Sequence, residues 1–206
     1  MDKFSRNIYL IRHAESFNNI DDIKIYIYNA KLTEKGLLQS KVIPSCIEDI
    51  ELIVHSKLER TYQTASDTII QYPEAMVQMW NVHEFNYLGE DKFAFSEKKK
   101  RRKAKARYWE KDDMHYSNNQ NAETFCGFLM RVEEIVQKIN HLDVGNIAIF
   151  THKYFIKGIC WHLLIKEKDI YYSPKRFKEF CDSCIINPKS IIKIIASEKK
   201  IFLDNK

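Results

Sequence analysis

The stretch that most constrains this chain lies near its start. Asn7-Ile8-Tyr9-Leu10-Ile11 runs directly into Arg12-His13-Ala14-Glu15-Ser16. The apolar run is short and unbroken, the pattern of a strand buried on both faces in a parallel sheet. Ligands of such sheets sit just beyond the carboxyl ends of the strands. Arg12 and His13 therefore stand where this kind of fold places its chemistry, although one strand and one polar loop would look the same in isolation.

The arrangement recurs down the chain. Glu51-Leu52-Ile53-Val54 reads as a second strand with His55-Ser56 at its end. The helix that follows, from Leu58 toward Pro73, carries Arg60 in its first turn. A cation there opposes the helix dipole and is better tolerated when an anion lies between them. Met76–Trp80 reads as a third strand, followed by His83 and Glu84, and Asn146–Thr151 as a fourth, followed at once by His152. Between these, Thr33 is the natural N-cap of a helix that Pro44 ends or kinks. Residues 122–140 carry apolar side chains at helical spacing. A helix from Lys153 to about Ile165 and a hairpin of residues 190–196 and 200–203 complete the pattern. Residues 14–31 form a loop whose apolar patch, Ile23 to Tyr28, takes no assigned element. The segment 90–121 interrupts the alternation, with a helix-favouring middle at 95–111. Strands alternating with helices predict an α/β three-layer sandwich, a mostly parallel central sheet with helices on both faces. The expected organisation is one domain over residues 1–206, with a basic helical insertion at about 91–121.

Composition removes several classes. The five glycines, at 36, 89, 127, 145 and 158, are too far apart for a G-x-G-x-x-G or a Walker-type loop. If phosphate is bound, side chains must do most of the binding. No apolar run reaches 18 residues, so no membrane span is expected. The first residues lack the apolar core of a secretory signal, and the expected compartment is the cytoplasm. Five cysteines, an odd count, favour free thiols. Cys181-Asp182-Ser183-Cys184 has C-x-x-C spacing, but no second Cys/His pair follows to complete a zinc site.

Beyond the strand ends stand two arginines, a carboxylate and two or three histidines. Guanidinium forks suit phosphate or carboxylate oxygens. A neutral histidine is a competent nucleophile toward phosphorus when one ring nitrogen is fixed as a donor. Glu84 is placed to protonate a leaving alkoxide and then to activate water. His13, His152 and Glu84 could instead form a two-histidine, one-carboxylate zinc set, but two arginines beside a dication would repel it. No metal or other cofactor is expected.

These residues resemble the histidine phosphatase superfamily, in its phosphoglycerate-mutase-like branch. The family's Arg-His-Gly-Glu-Ser-x-x-Asn opening is similar to Arg12-His13-Ala14-Glu15-Ser16-Phe17-Asn18-Asn19. Leu32-Thr33-Glu34-Lys35-Gly36-Leu37-Leu38-Gln39 and Ser56-Lys57-Leu58-Glu59-Arg60-Thr61-Tyr62-Gln63-Thr64-Ala65 resemble two further family segments, as do His83-Glu84 and Thr151-His152. The resemblance implies a metal-independent phosphatase that hydrolyses phosphate monoesters. His13 would become phosphohistidine, and Glu84 would be the acid and base. Arg12, Arg60, His152, Thr151 and Asn19 would hold phosphate, with Asn18 replacing Asn19 if the loop is shifted by one. Ala14 departs from the usual glycine. Lys153 stands where glycine is common and is read as solvated rather than as part of the pocket. The Tyr-x-Gly-Leu-Asn-Lys stretch of phosphoglycerate mutases is missing, which disfavours the phosphomutase alternative.

The formal charge of +5 is unevenly spread. Residues 98–107 hold 8 of the 33 basic residues, which leaves 25 basic against 28 acidic elsewhere. Three readings of this run remain: a solvated helix face, a lid that selects a polyanionic substrate, or a patch for anionic membrane, nucleic acid or nuclear import. The last would also suit a catalytically inactive docking module. Aromatic residues lie only at its end, at Tyr108 and Trp109, which gives base stacking little support.

Overall fold

Alternate residues of the apolar runs face opposite sides of one sheet. A computed structural model describes residues 5–20, 26–89, 97–197 and 200–203. Strands β1 (Arg6–Arg12), β2 (Ile50–His55), β3 (Met76–Met79), β4 (Asn146–Thr151), β5 (Ile191–Ser197) and β6 (Lys200–Leu203) form a sheet of order β3-β2-β4-β1-β5-β6. The first four in that order are parallel, and the β5–β6 hairpin adds two antiparallel strands beyond β1. Ile8, Leu10, Leu52, Val54, Ile147 and Ile149 are buried on one face, and Tyr9, Ile11, Ile53, Ala148 and Phe150 on the other. Period-two side chains on a sheet covered on both sides give this double core.

Among the described residues seven helices clothe it: α1 (Glu34–Ser40), α2 (Glu59–Gln71), α3 (Lys98–Glu110), α4 (Phe125–His141), α5 (Lys153–Leu164), α6 (Lys168–Tyr171) and α7 (Pro174–Ser183). The second face takes α2, with α1 packed on it. The first face takes α4, α5 and α7, together with Tyr108 and Trp109 from the end of α3. Helices α4 and α5 meet closely at Gly158, where a Cβ would lie 2.7 Å from the Phe128 ring. The result is the three-layer α/β architecture that the alternation predicts.

Local differences have local causes. Helix α1 ends at Ser40, and Pro44 instead opens a 3-10 turn, Pro44–Cys46. Helix α4 begins at Phe125, not 122, because the Thr124 side chain caps it by accepting from Gly127 N–H. The sequence pattern assigns nothing between α5 and β5, yet α6 and α7 lie there. The signal was Ser173-Pro174: the serine accepts from Arg176 N–H as N-cap, and proline occupies the first turn. All five cysteines are free, and the buried Lys157 ammonium donates to the carbonyls of Cys181 and Cys184 at the end of α7. Of the apolar patch 23–28, residues 23–25 lie outside the described residues, as do 90–96 of the predicted insertion. Among the described residues no helix is long and apolar enough to cross a membrane.

Candidate active site

Strand order assembles the site. Placing β4 between β1 and β2 sets three carboxyl ends side by side: Arg12 pairs with Thr151, and His55 with Phe150. His13 N–H donates to Thr151 O at 2.9 Å, and the rings of His13 and His152 lie 5.2 Å apart. His13 Nδ1 donates to Ala14 O at 2.8 Å, which leaves the ring lone pair on Nε2. Burial, then Arg60 and Arg12, hold its pKa well below the usual histidine value, so the ring is neutral at pH 7. His152 is the other tautomer. Its Nδ1 accepts from Arg60 Nη2 at 3.3 Å, and its Nε2 donates to Ser56 Oγ at 2.8 Å. Burial and Arg60 lower its pKa in the same way.

Arg12 is anchored through one end of its guanidinium and Arg60 through both. Arg60 Nη1 donates to Tyr28 O at 3.0 Å, and Arg12 Nη1 to Ile186 O at 2.6 Å. Burial lowers both pKa values, but a guanidinium remains charged. Arg12 Nε is buried and has no partner among the described residues. An unsatisfied buried donor costs about 1–3 kcal/mol, and more when charged, a cost that an anion in the cavity would remove.

Glu84 sits on a loop held carbonyl by carbonyl. Arg131 Nη1 donates to Asn81 O and His83 O, each at 3.0 Å, and Thr151 Oγ1 donates to Val82 O between them. Phe85 then stacks on Phe128 with centroids 4.4 Å apart. Glu84 Oε1 accepts from Tyr154 N–H, in the first turn of α5, at 2.8 Å. A carboxylate at a helix N-terminus is favourably placed against the dipole.

Arg12, His13, Asn19, Arg60 and Glu84 line one cavity of about 320 Å³. Both amide ends of Asn18 are taken by the Ile27 backbone, whereas Asn19 Oδ1 accepts from Ser16 N–H and Oγ. Asn18 also lines the cavity. Two expected phosphate contacts stand apart from the cavity lining. Thr151 is fully buried with its hydroxyl on Val82, and His152 lies beneath Arg60 with no exposed surface. His83 turns away into a separate hollow with Lys57 and Arg131, where burial pushes its pKa down to about 3. Lys153, read from sequence as solvated, lines the cavity, together with Lys98, Arg101, Arg102 and Lys105 of α3. Among the described residues no group of three or more His, Cys, Asp or Glu side chains is placed to hold a metal ion.

Sequence reasoning missed Arg131. Its guanidinium grips Glu123 through two bonds, Nε to Oε1 at 2.8 Å and Nη2 to Oε2 at 2.9 Å. The available signal was a single arginine beside the apolar stripe of Phe128, Leu129 and Val132.

A three-layer α/β domain that gathers two histidines, two arginines and a glutamate at its strand ends is built for oxyanion chemistry. The model of the histidine phosphatase superfamily (branch 1) matches residues 8–180, and the chain belongs to that superfamily. Solved structures agree in fold. The α-ribazole phosphatase of Shigella flexneri superposes with a TM-score of 0.72 at 20% identity, covering 96% of this chain and 94% of that one. A phosphoserine phosphatase mutant from Entamoeba histolytica, in complex with phosphoserine, gives 0.71 at 16% identity over 96% and 94%. A mycobacterial glucosyl-3-phosphoglycerate phosphatase gives 0.67 at 15% identity over 93% and 91%. No curated protein sequence matches significantly.

Proposed function

We propose that the protein is a metal-independent phosphomonoesterase that works through phosphohistidine on His13. The observation that carries this reading is the Nδ1–H bond from His13 to Ala14 O, which leaves the Nε2 lone pair in a cavity that Arg12 and Arg60 also line. Family membership and phosphatase neighbours support the same class of activity.

The ester's phosphoryl group binds against Arg12 and Arg60, with Asn19 alongside. Each charge-assisted hydrogen bond contributes about 1.5–3 kcal/mol. His13 Nε2 attacks phosphorus as the ester P–O bond breaks, and Glu84 gives its proton to the departing alkoxide. The positive charge left on the ring is stabilised by Nδ1–H on Ala14 O. Water then attacks phosphorus and yields its proton to Glu84. The N–P bond breaks, the electron pair returns to Nε2, and inorganic phosphate leaves. His152 holds Arg60 in place through Nδ1.

The test is hydrolysis of a phosphate-ester panel in EDTA, with His13→Ala in parallel. Turnover that survives EDTA and disappears in His13→Ala is the expected result. Turnover that needs added metal, or persists in the variant, overturns the mechanism.

A further inference from the structure

The eight basic residues of α3 divide between two environments. Lys98, Arg101, Arg102 and Lys105 follow i, i+3, i+4, i+7 spacing and line the His13 cavity. Lys99, Lys100, Lys103 and Arg107 are exposed on the other faces. The orientation is fixed from within. Tyr108 and Trp109 are buried and meet Phe85, the neighbour of Glu84, with centroids 6.0 and 6.1 Å apart. Lys98 Nζ donates to Ile20 O, and the Arg101 guanidinium lies 3.6 Å over the Tyr26 ring.

With Arg12, Arg60 and Lys153, seven cationic side chains line this cavity, and Glu84 is the one carboxylate among the described residues that line it. One phosphate monoester, with a charge of about −2 at most, is already matched by Arg12 and Arg60. Burial, and then Arg101, Lys153 and Arg102, push the Lys105 pKa down to about 8.

We propose that Lys98, Arg101, Arg102, Lys105 and Lys153 form a second anion subsite in this cavity, which takes a further phosphate group of the same molecule. The substrate class is a small molecule carrying two or more phosphates, such as a sugar or cyclitol polyphosphate. This deepens the phosphatase reading and rests on it. A small ligand fits because these cations line a cavity at the low end of the roughly 300–1,000 Å³ of small-molecule sites. Nucleic acid is disfavoured, since Tyr108 and Trp109 are buried and Tyr26 is stacked under Arg101.

Calorimetry on the His13→Ala protein, which does not consume the probe, compares glucose bisphosphate with glucose monophosphate, and inositol trisphosphate with inositol monophosphate. The polyphosphate of at least one pair binds about 10- to 100-fold more tightly. The double variant Arg102→Gln/Lys105→Gln reduces that ratio to about threefold or less, and Lys99→Gln/Lys103→Gln leaves it unchanged. Equal affinities within both pairs, or a ratio that survives Arg102→Gln/Lys105→Gln, overturns the subsite. So does binding to anionic vesicles that depends on Lys99 and Lys103 while neither pair is discriminated; α3 is then a docking surface. Failure of the phosphatase reading shows separately, as wild-type protein that hydrolyses no ester in the panel.

Discussion

Arg131 tests whether the loop bearing Glu84 must be held for Glu84 to act. Arg131→Met keeps an aliphatic stem but removes the guanidinium, which lies over the Phe128 and Phe155 rings and makes four hydrogen bonds. Two carbonyls, on Asn81 and His83, lose their donor. Glu123 is left nearly buried without its counter-charge, retaining the Asn86 N–H at 3.2 Å. Breaking a buried ion pair costs about 3–5 kcal/mol, a large share of the roughly 5–15 kcal/mol that holds a domain folded. Denaturant unfolding should show that loss. Adding Glu123→Gln should return part of it, because no carboxylate then remains buried alone, yet the loop stays unanchored.

Kinetics separates the loop effect from simple destabilisation. General acid catalysis contributes about 10²- to 10⁴-fold, and it matters most for strongly basic leaving groups. For the double variant, kcat on an alkyl phosphate should fall by about 100-fold or more, while kcat on p-nitrophenyl phosphate falls by less than about tenfold. Rates are corrected for the folded fraction measured in the same buffer. Equal losses on both esters would show that Arg131 is scaffold only and that the position of Glu84 does not depend on it.

Acid should destabilise the protein in a defined window. His13, His83 and His152 have folded-state pKa values below the unfolded value of about 6.5. The unfolded chain therefore binds protons that the folded chain excludes: stability is fully present above about pH 6.5 and falls below it, by about 1.4 kcal/mol per pH unit for each histidine. Urea titrations from pH 7 to pH 5 should follow that slope, and His83→Asn should remove one share of it; a flat profile refutes the assignment. Gly36→Ala places a Cβ 2.0 Å from the Glu15 carbonyl oxygen, so it should cost about 1–3 kcal/mol and reduce kcat by disturbing the His13 loop; a fully stable, fully active variant would contradict the packing. Native thiol labelling should modify exposed Cys46 rapidly and buried Cys160 and Cys181 slowly, and fast reaction of the latter two would show that α5 and α7 open readily.

The sequence displayed the strands, because a strand covered on both faces needs an unbroken apolar run, and it displayed the residues at their ends. It did not display strand order. Nothing local to Asn146–Thr151 says that β4 inserts between β1 and β2, and that insertion is what brings His152 beside His13. The direction of a side chain was equally hidden. Adjacent His83 and Glu84 turn to different cavities because Arg131 and Thr151 hold the carbonyls around them. Thr151 follows the same logic: its place in a motif suggested phosphate, whereas its hydroxyl braces the Glu84 loop.

The basic run shows most clearly how packing converts composition into specificity. As a string, residues 98–107 carry charge with no direction. Direction comes from two aromatic residues at the end of the helix, Tyr108 and Trp109, whose burial against Phe85 rotates one stripe of cations toward the cavity. The same Phe85 is adjacent to Glu84 and stacks on Phe128 of α4. Apolar contacts through one residue thus tie the helix that carries the surplus charge to the loop that carries the proposed acid and base. Like charges gathered this way oppose folding, and the Lys105 pKa is lowered first by burial and then by Arg101, Lys153 and Arg102. A polyanion in the cavity would reverse the cost at the moment it is positioned for attack, so recognition of the distant phosphates and alignment of the reacting one would be parts of a single binding event.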